Sequence, residues 1–176
     1  MTPTAIVNGA RRGWRVVACA SVLVLAAGCG GGGGTPARDA GDVRSEVAAQ
    51  SGAVADMTHV TGKTTEGGPP DGSPTDTSCD DGKDDSPNRE MLQMWSLYGV
   101  DNATLGKAMT NLAANLPKQG WKVVKNGPDS SMNKNQEILA VHTATKAQLD
   151  ATWRKGLDNH EPLITFNVYS QCFRAS

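Results

Sequence analysis

Past the first 29 residues, every aromatic side chain of this 176-residue chain lies between Trp95 and Phe173. Aromatic rings supply much of the apolar area that a small core can bury, so their confinement marks where a core is expected. Between Gly30 and Thr77 there is none. Gly, Pro, Ser, Thr and Asp dominate there, with Val43, Val47, Val54, Met57 and Val60 thinly spread. Such a composition buries too little apolar surface to offset its ordering entropy. The expectation is a flexible stalk over 29–77, spanning on the order of 40 Å. Within it, 42–57 forms at most a transient helix with Val43, Val47 and Val54 on one face. The folded unit is then 78–176, small enough for a covalent staple to matter.

Within that unit, Met91 to Tyr98 reads as a strand stopped by Gly99. Asp101 or Asn102 caps a helix in which Leu105, Ala108, Met109, Leu112, Ala113 and Leu116 recur at three- and four-residue spacing. Pro117 ends it and Gly120 turns the chain. Trp121 to Lys125 and Ile138 to Thr143 read as strands, separated by Asn126-Gly127-Pro128 and a polar loop. Ala147 to Trp153 alternates as a half-buried strand should, although Thr145-x-x-Gln148 also fits a helix capping box; the alternation favours the strand. In the last strand Ile164, Phe166 and Val168 point one way, and Cys172 shares their parity. The expected fold class is α+β: one amphipathic helix on an antiparallel sheet of four or five strands, in the order β-α-β-β-β-β.

The N-terminus has the layout of an export signal over 1–28. Arg11, Arg12 and Arg15 precede the apolar run Val16 to Ala27, no acid occurs before Asp39, and small Ala27 and Gly28 lead into Cys29. The run is too short to span a bilayer. Cysteine after small residues fits a bacterial lipoprotein signal, in which the thiol is alkylated with diacylglycerol and cleavage leaves Cys29 first. Leu25 lies four residues before it, with Ala26 where leucine is usual. Cys19 sits inside the apolar run with too little hydrophobic sequence ahead of it. A plain secretory cut near Ala27 is the alternative. Gly13-Trp14-Arg15 after Arg11-Arg12 departs from a twin-arginine signal, and the export route stays open. The expected location is the extracytoplasmic face of the cell membrane, with lipid held through acylated Cys29. Several acyl chains anchor firmly where one binds marginally.

With Cys29 acylated, Cys79 and Cys172 are the thiols left in the mature chain, and an oxidising compartment favours a bridge between them. It would close a loop of 93 residues and contribute about 4–5 kcal/mol in the chain-entropy account. Two unpaired cysteines are the alternative. The pattern Trp95-x-x-Tyr98-Gly99-Val100, an apolar helix, Gly120-Trp121-x-Val123 and a closing Cys172-Phe173-Arg174 resembles a group of actinobacterial secreted lipoproteins. The resemblance covers about the last 90 residues plus the signal. It implies a small α+β domain on a flexible stalk, and no active site to carry over.

Chemistry-bearing patterns are sparse. His59 falls in the expected stalk, and His142 on a strand with Ile138 and Ala140. Asp158, His160 and Glu161 share one loop without a second ligand pair at zinc spacing. Asp76, Asp80, Asp81, Asp84 and Asp85 cluster, but out of register for a calcium loop, and a solvated acidic loop is the expectation. No nucleophile elbow or phosphate-binding glycine loop occurs. With 17 basic against 18 acidic residues and no basic patch interleaved with aromatics, nucleic acid is not an expected partner. Trp95, Trp121 and Trp153 could stack on carbohydrate if exposed, though burial of at least two is expected. The expectation is a monomeric binding or accessory module for an envelope polymer or protein, without catalytic, cofactor or metal residues. Two other readings stay open: a small hydrolase or metal-dependent enzyme using His142 or the 158–161 loop, and a purely structural envelope component.

Overall fold

The computed structural model describes residues 34–69, 71–80, 85–156 and 160–176. The signal segment and Cys29 lie outside the described residues, as do Cys19, Asp81, Asp84 and Asp158. In chain order the elements are β1 (Ala37–Arg38), α1 (Ala40–Met57), β2 (Lys63–Thr64), β3 (Thr75–Ser78), β4 (Asn88–Tyr98), α2 (Asn102–Asn115), a 3-10 turn (Leu116–Gln119), β5 (Trp121–Pro128), β6 (Gln136–His142), β7 (Gln148–Arg154), β8 (Leu163–Tyr169) and β9 (Phe173–Ala175). The strands form one sheet in the order β1-β9-β4-β8-β7-β6-β5, with β2 and β3 also pairing with β4. The β1–β9 pair is parallel and the other pairs are antiparallel.

The period-two pattern of the long strands decides which face is covered. Trp95 and Leu97 of β4, Ile164, Phe166 and Val168 of β8, Leu149 and Ala151 of β7, and Ile138 and Ala140 of β6 are all buried. α1 packs against β4, β8 and α2, and α2 against β7 and β8. The alternate residues on the other face, such as Leu92, Asn167, Asp150 and Leu139, are half-buried, and Met94 is 57% exposed.

α2 forms where the apolar spacing placed it. The Asp101 carboxylate accepts from the Thr104 N–H at 2.7 Å. Leu105, Ala108, Met109 and Leu112 are buried, and Gly120 turns the chain at φ 81°. The segment expected as a strand over 147–153 is β7, Gln148–Arg154. Its capping-box residue Thr145 is used instead to shape the β6–β7 turn, where Ala147 N donates to Thr145 Oγ1 at 3.2 Å and Lys146 takes φ 62°.

Three expectations need correction. Among the described residues the sheet has nine strands rather than four or five. β4 to β8 are the five long ones, and the additions β1, β2, β3 and β9 are two to four residues long, too short to show a periodic signal. The described residues form two α-helices rather than one. From Gly34 onward, the segment expected as a stalk belongs to the same compact unit as the rest.

The reason lies in α1. Val43, Val47, Ser51, Val54 and Met57 make one continuous buried stripe, and Ser51 is what hides it from an apolar reading. Its hydroxyl accepts the Trp95 indole N–H at 3.0 Å inside the core. The far end of α1 is tied to α2 by Asn111 Nδ2, which donates to the Thr58 carbonyl at 2.8 Å. The following glycine-rich segment is held as well: the buried Gln93 amide donates to the Gly67 and Gly72 carbonyls at 2.9 and 3.0 Å.

Cys79 and Cys172 form a disulfide with Cα atoms 6.1 Å apart, closing the loop of 93 residues. It joins the end of β3 to the connection between β8 and β9.

Removing residues 1–78 is expected to abolish cooperative unfolding, followed by far-UV circular dichroism. Ser51→Ala strands a buried indole N–H and is expected to cost about 1–3 kcal/mol, read as a lower urea midpoint at unchanged slope. A cooperative 79–176 fragment would contradict the place of α1 in the core.

Candidate functional site

A polar cleft of about 950 Å³ lies at one end of the sheet, formed by the β5–β6 loop, the end of β7 and the entry to β8. Its floor is built locally. Asp129 accepts from Ser131 N at 3.1 Å, Ser131 Oγ at 2.6 Å, Asn135 N at 3.0 Å and Asn135 Nδ2 at 2.9 Å. These bonds, the Ser131 side chain first and Asn135 next, hold its carboxyl below the usual value. Asp129 therefore serves to shape the loop. Glu137, the second acid in the wall, is paired with Lys125 at 2.5 Å.

With those two carboxylates engaged, the cleft keeps three cations, Lys134, Arg154 and Lys155, against the exposed Glu161. Lys134 and Arg154 make no side-chain hydrogen bond or ion pair with the described residues. Lys155 is positioned through its neighbours. Asn102 Nδ2 donates to its carbonyl at 3.0 Å, Asn102 Oδ1 accepts the Trp153 indole N–H at 3.2 Å, and Lys155 Nζ stands 5.0 Å from the Trp153 ring centroid. Gly156 takes φ 68°, and a Cβ there would lie 2.3 Å from the His160 carbonyl oxygen. Only glycine fits there.

The residues singled out from sequence are dispersed. His142 Nδ1 lies 2.8 Å from Thr145 Oγ1 and accepts the Thr145 N–H at 3.3 Å, with its ring tilted on Trp121. Its bonds serve the β6–β7 turn. His59 is exposed at φ 50° just past α1, and His160 is exposed at the cleft rim. Trp95 and Trp121 are buried while Trp153 is half-buried, so the three make no common platform. Among the clustered acids, Asp76 pairs with Arg89 at 2.6 Å, and Asp80 accepts from Ser86 Oγ and from Asn88 Nδ2.

Sequence reasoning passed over Asp129, Arg154, Lys155 and Glu90. The first had a usable signal, since Asp129-x-Ser131 after Asn126-Gly127-Pro128 is a loop-organising pattern. Glu90 had none: its setting arises from pairing with β3 and from the disulfide to the sequence-distant Cys172. Burial pushes the Glu90 carboxyl up, a hydrogen bond from Thr77 partly opposing it.

No family model matches the chain, and no curated protein or solved structure matches it. The fold itself places the chain among mixed α/β domains with a single sheet and two helices on one face. None of the helices among the described residues is long and apolar enough to cross a membrane.

A raised carboxyl pKa means that the folded state holds its proton more tightly than the unfolded chain does. That contribution is complete below the ordinary value of 4.5 and is lost as pH rises through the folded value. Glu90→Gln is expected to raise the urea midpoint relative to the parent at pH 7, with the gain shrinking to nothing below pH 4.5. A difference independent of pH would contradict the burial argument.

Proposed function

We propose that this chain is a membrane-anchored extracytoplasmic lipoprotein, held by acylated Cys29, that works as a binding or accessory module of the cell envelope. Its ligand would be an anionic, hydroxyl-rich envelope polymer taken up in the polar cleft. One observation carries this reading: two of the cleft's acids are engaged in shaping its own wall, leaving Lys134, Arg154 and Lys155 facing a hollow of about 950 Å³. Arg presents a planar fork to phosphate or carboxylate, and the Ser131 and Asn133 side chains suit hydroxyl groups. The half-buried Trp153 adds a ring beside Lys155.

The hydrolase or metal-enzyme reading draws on His142 and the 158–161 loop. His142 is occupied by the β6–β7 turn, which favours the binding reading.

Anchoring at Cys29 would place the domain close to the lipid. Five residue steps separate Cys29 from Gly34, where the compact unit begins, a reach of at most about 18 Å.

Two measurements test the proposal. The intact mass of the protein from native membranes is expected to match a triacylated chain starting at Cys29; an unacylated chain would end the anchoring claim. Separately, the mature protein is expected to sediment with purified cell-wall polymer, with binding weakening as salt rises. The double change Arg154→Ala and Lys155→Ala is expected to reduce that binding at least tenfold while the thermal melt is unchanged. Undiminished binding by that variant would move the interaction away from the cleft.

A further inference from the structure

A second cluster lies apart from the cleft, at the disulfide. The Sγ atoms of Cys79 and Cys172 and a Glu90 carboxylate oxygen all lie within 4.8 Å of one another, and all three residues are half-buried. The bridge itself carries no charge, so it does not account for a carboxylate beside it. Among the described residues, the hydrogen-bond partner of the Glu90 side chain is a hydroxyl, Thr77 Oγ1 at 3.3 Å from Oε1. A half-buried carboxylate held by one neutral donor is costly to keep. Its position beside the two sulfurs gives it a use once those sulfurs are thiolates.

Two thiolates and a carboxylate suit a borderline-soft divalent cation such as Zn²⁺, with a fourth tetrahedral position left for water or an outside ligand. Sulfurs bound to one zinc at about 2.3 Å sit about 3.8 Å apart in a tetrahedron. Backbones whose Cα atoms are 6.1 Å apart can supply that by side-chain rotation alone. Thr77 would orient the carboxylate from behind, as groups around metal ligands commonly do. We propose that reduction of the Cys79–Cys172 disulfide turns this corner into a three-ligand site for Zn²⁺ or a similar thiophilic divalent cation, with Glu90 as the third ligand.

The chemistry balances with a dithiol as reductant. Two electrons and two protons pass from the dithiol to the bridge, its S–S bond breaks, and the dithiol closes to its own disulfide. Each protein thiol then releases a proton as its sulfur–metal bond forms. Bridge and metal exclude one another, so the corner holds either a covalent staple or a cation.

The test uses the full chain with Cys19 and Cys29 replaced by serine, so that Cys79 and Cys172 are the sole thiols. After reduction with a phosphine, the chain is titrated with Co²⁺ as a spectroscopic probe. The expected result is one equivalent bound with a thiolate-to-cobalt band in the near ultraviolet, displaced by Zn²⁺ and lacking in the oxidised chain. Glu90→Gln is expected to weaken cobalt binding at least tenfold, and Thr77→Ala to weaken it less. No band in the reduced chain, or parental affinity in Glu90→Gln, would overturn the proposal. Should reduction unfold the chain, circular dichroism gives the answer: refolding on addition of Zn²⁺ supports the site, and failure to refold overturns it.

Discussion

The Trp95 indole is the point on which the rest of the packing turns. It stacks on Phe166 across the β4–β8 pair, with ring centroids 4.1 Å apart and planes inclined by 14°, and its N–H reaches Ser51 on α1. One side chain therefore fixes the register of the two central strands and the placement of the helix above them. An indole N–H buried without an acceptor is costly, so α1 must present an oxygen at that point of its stripe. It does so at position 51, between Val47 and Val54. The stripe is consequently less apolar than that of a helix packed by shape alone.

That exchange explains how far the fold could be read from the sequence. The long strands and α2 were legible because each carries its own periodic signal, with Leu105 to Leu112 in the helix and Leu149 to Trp153 in β7. α1 was legible only in part: its span and its valine face were read, but as a transient helix, because the stripe uses valine and serine on a background of alanine and glycine. Its stability comes from tertiary packing rather than from propensity. The short strands were invisible for a related reason. β2 exists because Lys63 and Thr64 find Tyr98 and Leu97 on β4, a fact about the partner and not about the dipeptide.

The site shows the same division. The Cys79–Cys172 bridge could be argued from thiol number and compartment. Glu90 enters its neighbourhood only because Thr77 of β3 pairs with it and the chain returns after β8 to lay Cys172 alongside. The acids of the cleft teach a complementary lesson. Counted from sequence, Asp129 and Glu137 cancel two of the nearby cations. In the fold Glu137 is paired with Lys125, while Asp129 is held by the neutral donors of its own loop and keeps its charge at the cleft wall. Residue counts describe net charge, whereas hydrogen bonding decides which charges face a ligand.

The place of α1 in the core also changes how the proposed anchoring would work. A stalk of nearly fifty residues would let the domain wander on the order of 40 Å from the bilayer and sample ligands across the envelope. With the compact unit starting at Gly34, five residue steps after Cys29, the reach falls to at most about 18 Å. A domain held that closely has a high effective concentration for ligands at the membrane surface and little for those deeper in the wall. A cationic cleft in that position suits polymers that are themselves rooted in the membrane. Under the proposed anchoring, the short tether and the cations of the cleft would favour the same kind of ligand, one by geometry and the other by chemistry.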